Sequence, residues 1–359
     1  MMEHAELVEV ARGFEGIGEG ADPRGVVAHL AHSGLTALVV PPSGNVDVGA
    51  LCAARQALAY HSPMADSILA VNGLGCHPLL GAGPGFAPWL ERVASGAAAC
   101  GFALTEPEAG SDVAGMQARA AREGSAYVLS GRKTFISNAP IAEWFVVFAR
   151  TDGGPSAFVV ERADGLRVLD DVPLSAAHPI GSLMLDGVTI PETRRLGAEG
   201  EGIKLAFATL DRYRATVAAA ACGMAARALD EAIGYVRQRR QFGKPLAEFQ
   251  LTQARLADAA TELAAARALV ERAAAKVAAR APDAKLAVAM AKLYATEAAF
   301  RIVDSAVQLH GGLGVVRGVK VEELYREVRA LRIYEGTSEI QKLIIARELL
   351  RGGGGEKTE

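Results

Sequence analysis

"EWFVVFAR", residues 143–150, decides the fold. It is a short run, rich in aromatic and β-branched residues, with no helical spacing of its apolar positions. "AYVLSG" (126–131), "SAFVVE" (156–161) and "SLMLDGVTIP" (182–191) read the same way, and turn signals such as "DGGP" (152–155) separate them. Strands at this spacing predict a compact β-barrel or sandwich rather than a parallel sheet.

On both sides the pattern is helical. "DPRGVVAHLAHSG" (22–34) has Asp22 at a cap position, proline in the first turn and glycine at the end. "DVGALCAARQALAY" (47–60), roughly 64–75 and "PWLERVASG" (88–96) predict three more helices. Beyond about residue 200 the elements lengthen: Leu256, Leu263 and Val270 recur along one, and Leu286, Met290, Leu293 and Phe300 along another. These segments are alanine-rich and suit close packing in a bundle. The predicted organisation is a helical domain at 1–100, a β domain at 101–197, a helical bundle at 198–351 and a flexible tail at 352–359.

The chain has 359 residues, of which 50% are hydrophobic and 22% charged, with a formal net charge of −3. That balance gives no electrostatic case for nucleic acid or an anionic membrane. "RQRRQFGK" (237–244) is too short a basic run to change this. Cys52, Cys76, Cys100 and Cys222 lack CxxC spacing and read as reduced, packed thiols. Five glutamates in the first twenty residues speak against a signal or transit peptide. The longest apolar stretch, Ala215–Ala226, is shorter than the ~20 residues a membrane helix needs. A soluble, cytoplasmic protein is expected.

Some patterns carry no chemistry. The glycines of "GLGCHPLLGAGPG" (73–85) have dinucleotide-like spacing but no preceding strand, so a loop is expected. His29 and His32 are three apart with no third ligand near, so no metal site is expected. Other stretches are more specific. In "RIYEGTSEIQ" (332–341), Ser338 and Gln341 read as a capping box before a helix, and Glu335 stands just ahead of it. "ALTEPEAGSDV" (103–113) is a Gly/Pro-rich turn whose amides and hydroxyls suit a polar ring edge or a phosphate. "GRKTFISNAP" (131–140) places Phe135 and Ser137 two apart on an extended chain, an aromatic plane beside a hydroxyl donor.

Together with "TRRLGAEGEGIKLAF", "RQRRQFGKPLAEFQ" and "QLHGGLGV", these motifs, taken in chain order with "RIYEGTSEIQ" last, resemble the acyl-CoA dehydrogenase family over about residues 22 to 350. The resemblance implies an α+β fold with an N-terminal helical domain, a central β-barrel and a C-terminal four-helix bundle. It implies FAD as cofactor and α,β-desaturation of an acyl-CoA thioester, as in fatty acid metabolism. By matching motifs, Glu335 is the base that removes the α-proton while a β-hydride leaves for flavin N5. Phe102, Leu104 and Thr105 line the flavin, Phe135 stacks near it and Ser137 faces N5. Gly110 and Ser111 lie where flavin phosphate and CoA approach. Arg239, Phe242, Gln308, Gly311 and Gly312 reach the FAD of a neighbouring subunit, and Thr337 and Glu339 its adenosine half. Such shared sites imply a dimer or a tetramer, and an electron-transfer flavoprotein is the implied acceptor.

Ser111, Asp211, Tyr213, Arg214 and Gly336 match substrate contacts. Tyr213 stands where some relatives carry the base; its bulk favours a short or branched acyl chain. "HAELVEVARGFEGIG" reads as a remnant of the family's first long helix, and His61 replaces an arginine found in glutaryl-CoA-binding members. Two other readings stay open: an acyl-CoA oxidase or a specialised desaturase of a carrier-bound acyl group with the same fold, and a non-catalytic flavin- or nucleic-acid-associated member.

Overall fold

Asp22 and Asp47 each start a helix. The Asp22 carboxylate accepts the N–H groups of Arg24 and Gly25 at 3.1 and 3.0 Å, and Asp47 that of Ala50 at 3.1 Å, satisfying donors the first turn leaves open. The computed structural model describes residues 4–169 and 172–351; the tail expected from 352 lies outside them. Five α-helices come first: α1 (His4–Arg12), α2 (Pro23–His32), α3 (Val48–His61), α4 (Pro63–Leu80) and α5 (Ala87–Ala94).

The loop expected across 73–85 is largely helix. α4 continues through Gly73, Gly75 and Pro78 to Leu80. A Cβ on Gly75 would lie 2.5 Å from the Cys100 sulfur. Glycine is therefore set by close packing of this helix on the next strand, not by a turn.

Among the described residues eight strands follow: β1 (Ala99–Ala103), β2 (Arg119–Glu123), β3 (Ala126–Ser137), β4 (Ala142–Thr151), β5 (Gly154–Glu161), β6 (Arg167–Leu169), β7 (Ile180–Pro191) and β8 (Arg195–Leu196). Their order is β6-β7-β3-β2-β4-β5-β8, with β1 beside β4. β3–β7 and β4–β5 are antiparallel, whereas β1–β4 is parallel, so the sheet is mixed. Among the described residues β6 and β8 end the path without pairing each other, and the expected barrel is an open one. In β4, Trp144 to Ala149 are all fully buried. Both faces of that strand are covered, which is why "EWFVVFAR" reads as a run rather than an alternation.

The last part holds α6 (Gly202–Gln238), the two-strand hairpin β9 (Arg240–Gln241) and β10 (Lys244–Pro245), then α7 (Gln250–Ala278), α8 (Ala284–His310), α9 (Lys320–Leu331) and α10 (Ser338–Leu350). Small side chains on α6, α7 and α8 fill one core with Val48, Cys52 and Ala59 of α3. α9 adds Val321, Leu324, Val328 and Leu331 at helical spacing.

The chain forms two compact units, neither continuous in sequence. One comprises residues 1–16, 47–63 and 212–359, and the other 17–46 and 64–211. The second has its own core of Tyr127, Leu129, Phe145, Val147, Phe158, Leu183, Val188 and Ile190. All four cysteines are buried and free. Among the described residues no helix is long and apolar enough to cross a membrane.

Candidate active site

Glu335 lies in the turn between α9 and α10 with φ +52°, and Gly336 follows at φ +94°. A left-handed glutamate costs on the order of 1–2 kcal/mol, so the surroundings must hold it. Arg214 Nε, from α6, donates to the Glu335 carbonyl at 2.9 Å. Lys292 Nζ, from α8, donates to the next carbonyl, that of Gly336, at 2.8 Å, and Gln341 Nε2 donates to the same oxygen at 3.0 Å. The Ser338 N–H closes the turn on the Arg332 carbonyl at 3.1 Å. Arg214 is 4% exposed and Lys292 0%. Two buried cations thus bind consecutive carbonyls of the turn that presents Glu335.

The helix start differs from the capping box expected at Ser338. Thr337 is the cap, its Oγ1 accepting the Ile340 N–H at 3.3 Å. Ser338 opens the helix, and its hydroxyl donates to Glu297 Oε1 at 2.6 Å. The long-range carboxylate draws Ser338 away from the cap, and Gln341 turns to the Gly336 carbonyl instead. Glu297 also pairs with Arg332 at 2.8 Å. Burial works against the Glu297 carboxylate, but Ser338 and Arg332 hold its pKa below the ordinary value. Lys292 is pulled down to about 8: burial dominates, Glu335 opposes it, and Arg214 adds to it.

The sequence reading missed Lys292 and Glu297, and gave Gln341 a capping role in place of its bond to the Gly336 carbonyl. A signal existed: Lys292 shares a helical face with Val288, Ala295 and Ala299, all buried, and a lysine on such a face needs an internal partner. Of the residues matched to substrate contacts, Tyr213 is wholly buried, Arg214 binds the turn just described, and Asp211 is half-buried. His61 faces a carboxylate: its Nδ1 lies 2.5 Å from Glu15 Oε2, and Arg227 bonds the two oxygens of Glu15 at 2.9 Å each.

In the other unit, residues expected to face a flavin gather around β1 and the end of β3. The Thr134 N–H donates to the Thr105 carbonyl at 3.0 Å, and Asn138 Nδ2 to the Cys100 carbonyl at 3.1 Å. Phe102 packs edge-on to Phe148 at 4.9 Å, and Leu104 is buried. β3 is not regularly extended here: its register against β7 slips between Lys133 and Ile136, with Phe135 at φ +55°. The bulge turns the Phe135 ring out to 59% exposure, beside a half-buried Ser137. Gly110 and Ser111 are exposed on the adjoining loop. An exposed ring, a nearby hydroxyl and an exposed Gly-Ser loop fit a flat heterocycle with a polar edge and a phosphate tail, as in FAD.

Arg239, Phe242, Gln308, Gly311, Gly312 and Glu339 are exposed, and Thr337 is half-buried. Phe242 and Gly243, both at positive φ, make the two-residue turn of β9–β10 and leave the Phe242 ring 93% exposed. Among the described residues five non-glycines have positive φ: Phe135, Asn138, Phe242, Arg280 and Glu335. Three of them are residues the sequence singled out for function, where backbone strain is expected to collect. No three His, Cys, Asp or Glu side chains among the described residues are grouped to hold a metal ion.

Residues 101–188 match the family described as acyl-CoA dehydrogenase, middle domain, and residues 200–350 that described as acyl-CoA dehydrogenase, C-terminal domain. The chain is 36% identical to cyclohexane-1-carbonyl-CoA dehydrogenase of Geobacter metallireducens, over 91% of this chain and 89% of that protein. It is 40% identical to the caffeyl-CoA reductase-Etf complex subunit CarC of Acetobacterium woodii, over 78% of this chain and 76% of that one. Among solved structures, butyryl-CoA dehydrogenase from Megasphaera elsdenii superposes with a TM-score of 0.90 at 31% identity, covering 98% of this chain and 99% of its own.

Proposed function

Since the chain belongs to the acyl-CoA dehydrogenase family and is an oxidoreductase of that family, we propose that it is an FAD-dependent desaturase of acyl-CoA thioesters with Glu335 as its base. The observation that carries this reading is the Glu335 turn: a strained glutamate fixed through its own carbonyl by Arg214 and through the next by Lys292. A backbone this constrained is retained where a side chain must point at a reacting atom.

The Glu335 carboxylate removes the proton α to the thioester carbonyl. Charge then moves to the thioester oxygen, and the Glu335 main-chain N–H is this chain's donor to it. A preorganised donor at such an oxygen contributes about 3–4 kcal/mol at the transition state. Bound FAD would accept the β-hydride. Phe102, Leu104, Thr105, Phe135 and Ser137 would hold its ring, and Gly110 and Ser111 would lie toward the phosphates and CoA; the exposed Phe135 ring and the tethered Thr105 loop support that assignment. Arg239, Phe242, Gln308, Gly311 and Gly312, with Thr337 and Glu339, would complete the site of a second copy; the 93% exposed Phe242 supports an oligomer.

A short or branched chain is the substrate that Tyr213 favours, as a fully buried phenol next to Arg214 on α6. His61, already facing Glu15, is poorly placed to receive a second carboxylate. An electron-transfer flavoprotein as acceptor is supported by the relative named as a subunit of a reductase-Etf complex. Four free, buried thiols suit a reducing, cytoplasmic setting.

The test is anaerobic mixing of the FAD-loaded protein with a panel of acyl-CoAs while flavin absorbance is followed. Bleaching by butyryl- or isobutyryl-CoA is expected, slowed at least ~10²-fold in Glu335→Gln at unchanged FAD content. A yellow protein that no thioester reduces would move the substrate to a carrier-bound acyl group. Undiminished reduction in Glu335→Gln would remove Glu335 as the base.

A further inference from the structure

Lys292 is a fully buried lysine whose ammonium meets a neutral carbonyl, that of Gly336, at 2.8 Å. A charge that deep persists only against compensating charge. The charged groups that act on it are Glu335 from the turn, Arg214 from α6, Glu297 from its own helix and Glu339 from the first turn of α10. Glu297 is already bound by Ser338 and Arg332, and Glu339 is exposed. Glu335 is the strongest of the attractive charges.

We infer that Lys292 is a positioning residue for Glu335: it fixes the left-handed turn through the Gly336 carbonyl, and its charge keeps the Glu335 carboxyl ionised and ready to take a proton. The inference rests on the reading of Glu335 as the base. Its consequence is a second ionisation in the working pH range. Lys292 is held near 8 by burial, so the clamp weakens as pH rises through that value.

The experiment compares Lys292→Met and Lys292→Arg with the parent in the FAD-loaded full chain. One readout is the pH profile of flavin reduction by acyl-CoA. The other is an infrared titration, without substrate, of the carboxyl band that Glu335→Gln removes. In Lys292→Met the Glu335 midpoint and the acid limb of the rate should both move up by about one pH unit, the usual effect of losing a nearby opposite charge. In Lys292→Arg neither should move, and the alkaline inflection near pH 8 should vanish. A folded Lys292→Met with both values unmoved would overturn the inference, leaving Lys292 a packing residue. So would an alkaline inflection that persists in Lys292→Arg, a test that stands even if Lys292→Met does not fold. Failure of the base reading looks different: flavin reduction survives in Glu335→Gln, while the carboxyl titration still reports on Lys292.

Discussion

Lys133 Nζ lies 2.7 Å from Glu106 Oε1, with the lysine side chain fully buried and the glutamate 4% exposed. The pair joins the segment after Thr105 to the strand that carries Phe135. Lys133 also donates to the Leu104 carbonyl at 3.2 Å, and Glu106 accepts the N–H groups of Gln117 and Ala118 at 2.5 and 3.0 Å. Burial opposes the Glu106 carboxylate, but those donors and Lys133 hold its pKa below the ordinary value. Removing one partner leaves a buried charge uncompensated, so Glu106→Gln should lower stability by about 3–5 kcal/mol. The double change Glu106→Leu with Lys133→Met should cost less than the sum of its singles. Urea denaturation measures both, and an additive double would mean that the pair does not act as a unit.

Gly336 is constrained by its conformation and by its neighbour. Its φ is +94°, and a Cβ would come within 2.6 Å of Gln341 Nε2. Gly336→Ala should cost about 1–3 kcal/mol and slow flavin reduction at unchanged FAD content. Adding Gln341→Ala removes the clash but not the strained φ, so rescue should be partial. Wild-type melting of Gly336→Ala would show that the turn relaxes freely.

Thr337 and Ser338 separate two roles that their types alone do not distinguish. Thr337→Ala should cost about 1 kcal/mol, as the loss of an N-cap does. Ser338→Ala leaves the cap but deprives Glu297 of a donor, so the Glu297 pKa, held low partly by that hydroxyl, should rise. A carboxyl-resolved NMR titration of both variants decides this. If Ser338→Ala destabilised α10 more and left Glu297 unmoved, the cap would be Ser338 after all.

The local chemistry of this chain was readable where the signal was local. Asp22 and Asp47 cap their helices as their types predict, and the runs around Phe145, Phe158 and Leu185 are strands. What escaped was decided by distant partners. Gly75 sits inside α4 because Cys100 leaves no room for a side chain there. Ser338 yields the cap because Glu297, on another helix, takes its hydroxyl. Lys292 is one lysine in an alanine-rich helix, and its partner, the Gly336 carbonyl, lies 44 residues further along the chain. Glu335 was found as a motif residue, but its left-handed backbone is a property of the folded turn. The parallel pairing of β1 with β4 is likewise invisible in the strand pattern, since alternation gives faces and not neighbours.

Glu15 predicts how stability responds to acid. Two bonds from Arg227 and a contact from His61 fix its carboxylate, tying the segment after α1 to α3 and α6. The Arg227 guanidinium is the main cause, with burial opposing and His61 assisting, of a pKa lowered from 4.5 to about 2. The folded value lies below the unfolded one, so the contribution is complete above about 4.5 and is lost as pH falls toward about 2. The side chain is 44% exposed, and solvent screening limits its worth to about 1 kcal/mol. Glu15→Gln should therefore be less stable than the parent by that amount at neutral pH, and the two should converge as pH approaches 2. High salt should narrow the gap at neutral pH. Denaturation curves across this range decide it: parallel stability profiles for parent and variant would mean that the Arg227 contact contributes nothing to folding.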